Sequence, residues 1–218
     1  MAIVLPLPQK LSSSILESSS KCIREQGVLA VATESSYALA AGVQHIAAIE
    51  RIATMKGDRR AKPILLLVSS RVQVFQVASA ISPVADLLMN RFWPGPLTLI
   101  LPAIPDLPHS LTFGMKTIGV RQPDCPQLLQ ILEATGPLTG TSANRSGMAP
   151  ANTSEDVLQE FGDDVDLILD SGPSPGGRPS TLLNLVGEIR ILRQGPISAH
   201  LIQEVLTPLE LYLQDSTF

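Results

Sequence analysis

Pro63-Ile64-Leu65-Leu66-Leu67-Val68 runs through six apolar residues without a polar break. A strand with one wet face alternates apolar and polar residues. A continuous apolar run of this length is the pattern of a strand covered on both faces, as in α/β proteins. Directly ahead of it stands Lys56-Gly57-Asp58-Arg59-Arg60-Ala61-Lys62. Ahead of that, residues 45–55 carry Ile46, Ile49, Ile52, Ala53 and Met55 near helical spacing. The stretch therefore reads as helix, basic loop and buried strand.

The same alternation of elements continues outward in both directions. Residues 11–26 place Leu11, Ile15, Cys22 and Ile23 on one face with serines opposite, and Gly27 stops the helix. Residues 28–32 follow as a short strand. Pro6 and Pro8 make the N-terminal stretch an edge strand or arm. Downstream, residues 71–80 and 84–92 read as helices, the second introduced by Ser82-Pro83. Strands are expected at 97–101, 117–121, 166–169, 181–185 and 189–193, and helices at 127–134, 154–161 and 197–206. A tight strand-to-loop passage starts at Leu138. No internal repeat is visible. The expected fold is one α/β domain over 1–218 with a twisted mixed sheet, a core of about 11–206 and a tail of about 207–218.

Composition narrows the function classes. The chain has 218 residues, 44% hydrophobic and 17% charged, with a mean hydropathy of +0.24; disorder needs the opposite balance. Two cysteines, Cys22 and Cys125, exclude a disulfide scaffold and a four-cysteine zinc site. The net charge is −4, so any phosphate-binding surface is a local feature. No apolar run approaches the ~20 residues of a spanning helix, and no basic region precedes the short N-terminal apolar stretch as it would in a signal peptide. A soluble, cytoplasmic protein without membrane contact is the expectation.

Three segments place small polar or cationic groups where strands begin or end. Thr33-Glu34-Ser35-Ser36-Tyr37 follows the 28–32 strand and reads either as a capped turn or as a ligand-binding strand end. Five of the 16 basic residues lie between Arg51 and Lys62, which suits a polyanion site or a solvated helix end. Thr139-Gly140-Thr141-Ser142-Ala143-Asn144-Arg145-Ser146-Gly147 is either an anion-binding nest or an ordinary polar loop. Other chemistries fare worse. There is no GxxxxGK[ST], GxGxxG or GxSxG, and His45, His109 and His200 lack HExxH spacing. Asp124 beside Cys125 raises a thiol's pKa, which argues against a cysteine nucleophile.

Read in order, these segments resemble the YrdC-like family of threonylcarbamoyl-adenylate synthases. The resemblance rests on Ala32-Thr33-Glu34-Ser35-Ser36-Tyr37-Ala38-Leu39, Lys56 to Pro63, Phe92-Trp93-Pro94-Gly95-Pro96-Leu97-Thr98, Gly119-Val120-Arg121-Gln122-Pro123, Ser142 to Gly147, Ser180-Thr181 and Ile191 to Gly195. It implies a sheet enclosing a deep, basic-lined cavity. It implies synthesis of threonylcarbamoyl-AMP from L-threonine, bicarbonate and ATP with Mg2+, for use by a separate tRNA-modifying transferase complex. Ser35, Arg121, Ser142, Ser180 and Thr181 would hold threonine. Lys56, Arg59, Lys62, Thr117, Asn144, Asn152 and Arg193 would hold ATP. Lys56 and Arg121 are the candidate catalytic groups, acting by positioning.

The chain departs from the family pattern at Asp58, which stands for an arginine, and at Leu67, which stands for a histidine; no protein side chain is expected to hold the metal, Asp58 being the one candidate. Ala32, Ser35 and Ala38 are further departures. The alternative reading is a divergent paralogue that binds nucleotide or double-stranded RNA without making the adenylate. With a net charge of −4, direct contact with tRNA or double-stranded RNA is expected to be weak. The segment beyond Ser198 is too short for the extra C-terminal domain some relatives carry.

Overall fold

A computed structural model describes residues 1–57 and 64–214. The apolar run gives the strand β4 (Leu65–Leu67), and its neighbours in the chain point alternately to two hydrophobic cores. Ile64, Leu66 and Val68 join one core and Leu67 the other. Successive side chains on a strand face opposite ways, so the strand is covered on both sides.

The other strands are β1 (Ile3–Pro6), β2 (Leu29–Ala32), β3 (Tyr37–Ala40), β5 (Leu97–Pro102), β6 (Thr117–Arg121), β7 (Leu138–Ser142), β8 (Leu167–Asp170), β9 (Thr181–Asn184) and β10 (Arg190–Arg193). They form one sheet in the order β1-β8-β2-β3-β7-β4-β6-β5-β9-β10. The pairs β1/β8, β2/β8, β4/β6 and β5/β9 are parallel and the rest antiparallel. The chain is thus an α/β domain with a mixed sheet.

The helices are α1 (Ser13–Arg24), α2 (Ile46–Lys56), α3 (Arg71–Val74), α4 (Pro83–Phe92), α5 (His109–Thr112), α6 (Pro126–Thr135), α7 (Ser154–Phe161) and α8 (Ala199–Leu206). One sheet face is covered along its length. Ile49 and Ile52 of α2, Leu88 and Met89 of α4, Val157 and Phe161 of α7, and Ile202 and Leu206 of α8 join its core. On the other face, Ile15 and Ile23 of α1 and Leu128, Ile131 and Leu132 of α6 pack on Leu29, Val31, Ala40, Leu67, Leu138, Leu167 and Leu169. That second layer stops at β4. Beyond it, Ile100 of β5 and Leu182 of β9 belong to neither core. They lie half-buried beside Thr117, Gly119 and Asn184. Half of one sheet face therefore lacks a helical layer.

One element is added to the expected set and one local expectation needs correction. Residues 37–40, following the turn at 33–36, form β3 between β2 and β7. The helix expected over 71–80 ends at Val74, because Ala78 bridges Ala103 and the Ser79 amide donates to the Pro102 carbonyl at 2.9 Å. These sheet-edge bonds override helix propensity. The N-terminal stretch forms β1, an edge strand against β8, in line with the reading from Pro6 and Pro8.

Candidate functional site

The half-face without helical cover carries four of the residues singled out from the sequence, Thr117, Arg121, Ser180 and Arg193. Register places Leu182 of β9 beside Thr98 of β5 and Arg193 of β10 beside Leu182. Arg121 of β6 lies one residue beyond the Leu99–Val120 pair, on the same transverse row. Thr117 and Gly119 share the Arg121 face by alternation.

Arg121 is the most constrained of these groups. It is 5% exposed, its Nε donates to the Gly95 carbonyl at 3.1 Å, and its Nη2 meets the Glu34 carboxylate in an ion pair. Burial, and then the neighbouring Arg193 guanidinium, push its pKa down to about 10, against the pull of Asp124. A desolvated guanidinium beside a second one gains from an arriving anion.

Arg193 is fixed through Ser180. Its Nε donates to the Ser180 carbonyl at 3.0 Å and its Nη2 to the Ser180 hydroxyl at 3.2 Å. Ser180 Oγ in turn shares a 2.7 Å hydrogen bond with the fully buried Thr98 hydroxyl. Thr181 does something else. Its hydroxyl donates to the Ile197 carbonyl at 2.8 Å and accepts from the amides of Gly195 and Ile197 at 3.0 and 3.1 Å. A hydroxyl with one donor and two acceptor sites is then saturated. Thr181 clamps the turn before α8, and of the pair only Ser180 is joined to Arg193.

The second cluster surrounds Lys56, the last residue of α2, which is 7% exposed. Its ammonium donates to the Ser142 carbonyl, to the Asn144 carbonyl at 2.9 Å and to Asn144 Oδ1 at 3.2 Å. Ser142 Oγ donates to the same Oδ1, while Asn144 Nδ2 donates to the carbonyls of Arg145 and Met148. The Ser142-Ala143-Asn144 turn is folded around the ammonium. It is held to β3 by the Ala143 amide on the Tyr37 carbonyl at 2.8 Å and the Tyr37 amide on the Ala151 carbonyl at 3.0 Å.

Ser35 sits in the turn between β2 and β3. There Thr33 Oγ1 accepts from the amides of Ser35 and Ser36 at 3.2 and 3.3 Å and lies 3.1 Å from Ser35 Oγ. Asn152 is exposed. Its carbonyl and Oδ1 accept from the amide and hydroxyl of Ser174, tying the 171–179 loop to the start of α7. Leu67, at the family's histidine position, is 2% exposed and packs in the second core. The candidates Asp58, Arg59 and Lys62 lie outside the described residues.

Among the described residues this half-face lacks a helical layer, which is compatible with the cavity that the resemblance implies. Clefts of about 530 and 350 Å3 lie elsewhere, the first lined by residues including Ile104, Leu107 and Lys116, the second by Ser69, Gln73 and Leu129. Sequence reasoning passed over Glu34 and Thr98. Glu34 is the one acidic residue in a turn singled out for its hydroxyls, and that was the available signal.

The fold and site define an α/β protein with paired guanidinium groups on a half-sheet without helical cover. The chain matches the Sua5/YciO/YrdC family, described as telomere recombination, over residues 21–195 and belongs to it. It is 34% identical over 190 residues to the threonylcarbamoyl-AMP synthase of Bacillus subtilis (strain 168), covering 86% of this chain and 55% of that protein. The crystal structure of P. abyssi Sua5 complexed with L-threonine has a TM-score of 0.89 and 29% identity, covering 98% of this chain and 63% of that one. E. coli YciO gives 0.82 and 25%, covering 93% of this chain and 100% of that one. The chain thus spans between half and two thirds of the Bacillus and Pyrococcus relatives. No helix among the described residues is long and apolar enough to cross a membrane.

Proposed function

We propose that the chain is a threonylcarbamoyl-AMP synthase, joining L-threonine, bicarbonate and ATP and releasing pyrophosphate. The observation that carries this reading is the Arg121–Ser180–Arg193 constellation on the half-face without helical cover. The names of the Bacillus relative and of the threonine-bound Pyrococcus structure support it. Arg121 takes the amino acid's carboxylate, with Ser35, Ser142 and Ser180 as hydroxyl partners. Arg193, Thr117, Asn144, Asn152 and Lys56, with Arg59 and Lys62, serve the nucleotide.

The chemistry asks for little beyond placement. The threonine amine bonds to the bicarbonate carbon as water leaves, giving N-carboxythreonine. A carbamate oxygen of that intermediate then forms a bond to the α-phosphorus as the bond from that phosphorus to pyrophosphate breaks. Both reactants are anions, so holding them in line and screening their repulsion lowers the barrier. Among the described residues no group of three or more His, Cys, Asp or Glu side chains gathers to hold a metal. On this reading Mg2+ accompanies the ATP phosphates as part of the substrate, and Asp58 is the one side chain that the sequence offers as a candidate ligand. The product then passes to a transferase that modifies tRNA.

The test is pyrophosphate release from ATP by purified protein. The proposal expects release that requires both threonine and bicarbonate. ATP binding without release would replace the synthase with a nucleotide-binding paralogue.

A further inference from the structure

Glu34 is a carboxylate in a site otherwise arranged to receive carboxylates. Its backbone is pinned, because Thr33 Oγ1 accepts from the two following amides and donates to the Ser36 carbonyl at 2.9 Å. Both Glu34 carboxylate oxygens are shielded from solvent, as is Arg121 Nη2. Each meets the other in the ion pair, and among the described residues neither has a further hydrogen-bond partner. Arg121 Nε is already committed to Gly95. A ligand carboxylate reaching the remaining edge of the guanidinium meets Glu34 there, and two carboxylates cannot share that edge without strong like-charge repulsion.

We propose that Glu34 selects for zwitterions: it occupies Arg121 in the free protein, yields the guanidinium to the α-carboxylate of the amino-acid substrate, and then accepts that substrate's α-ammonium. The inference rests on the synthase reading and adds a specificity-determining residue to it. The logic is one of exchange. A simple monoanion that displaces Glu34 leaves a shielded carboxylate without its counter-charge, which is costly. A ligand carrying an ammonium one carbon away from its carboxylate re-pairs both protein charges. An otherwise cationic site can in this way reject the simple anions that would compete for it.

Calorimetric binding of L-threonine and of 2,3-dihydroxybutanoate, in which a hydroxyl replaces the ammonium, tests this in the full chain. Wild type should prefer threonine. Glu34→Gln should weaken threonine about tenfold and tighten the hydroxy acid about tenfold, the scale of one charge-assisted hydrogen bond each. Glu34→Asp should keep part of the preference, and it carries the test if the Gln variant does not fold. Equal losses for both ligands, or no change in either, would overturn the inference while threonine-dependent pyrophosphate release by wild type still stood. Wild type that neither binds threonine nor releases pyrophosphate with it would overturn the synthase reading, and this inference with it.

Discussion

The two halves of one sheet face follow the same alternation and do opposite things. Over β8, β2, β3 and β7, the inward residues Leu29, Val31, Ala40, Leu138, Leu167 and Leu169 are sealed by α1 and α6. Over β6, β5 and β9, the same face shows Thr117, Gly119, Arg121, Thr98, Ile100, Leu182 and Asn184 with no helical cover. The first half is stabilised by burial of apolar area. The second keeps small or polar side chains and two guanidiniums where apolar residues would have sealed it. On the proposed reading, function comes from leaving part of a core unfinished.

Substitutions on the two halves should separate activity from stability. Arg121→Ala should lower threonine-dependent pyrophosphate release by about a thousandfold or more, since it removes an anion contact and strands Glu34, a loss on the scale of a broken buried pair. Leu128→Ala, under α6, should cost about 2–5 kcal/mol of stability in urea unfolding, with the KM for threonine within about twofold of wild type. A stability loss with unchanged turnover for Arg121→Ala, or a large KM change for Leu128→Ala, would break the division.

A pair of glycines sharpens the same contrast at smaller scale. A Cβ on Gly140 would meet the buried Leu67 side chain at 2.6 and 2.8 Å. A Cβ on Gly119 would find Thr98 Cγ2 at 3.4 Å and Leu65 Cβ at 3.6 Å, ordinary contact distances. Gly140→Ala should therefore destabilise by about 1–3 kcal/mol through overpacking. Gly119→Ala should stay within about 0.5 kcal/mol. Thermal unfolding of the two variants checks the difference, and equal effects would mean that the uncovered half is as tightly packed as the covered half.

The elements with strong periodicity were legible without the structure. The span Thr117–Arg121 and the helix Ser154–Phe161 emerge as read, and the described part of the apolar run, 64–68, is covered on both faces as its pattern implies. β3 was not legible, because Tyr-Ala-Leu-Ala behind a serine turn has neither β-branched residues nor polar alternation. Its place between β2 and β7 is set by pairing partners. The helix α5, only four residues long, falls below what a periodic pattern can report.

The candidate site divides in the same way. The residues joined by local turns, Ser142 with Asn144 and Thr33 with Ser35, stand together in sequence. The pairing of Glu34 with Arg121, and of Thr98 with Ser180, depends on which strands become neighbours, and no local pattern carries that. Ser180 and Thr181 look interchangeable in sequence. Alternation sends them to opposite sides, and only the hydrogen bonds of Thr181 reveal that its hydroxyl is spent.

The uncovered half-face as the substrate site is tested most directly by methyl-labelled NMR titration with L-threonine and Mg-ATP. Shifts should concentrate on the methyls of Leu65, Ile100 and Leu182, while those of Leu29, Leu138 and Leu169 under α1 and α6 stay nearly unmoved. Shifts centred instead on Ile104 and Leu107, in the cleft at the far end of β5, would contradict the account, as would equal shifts on both halves of the face.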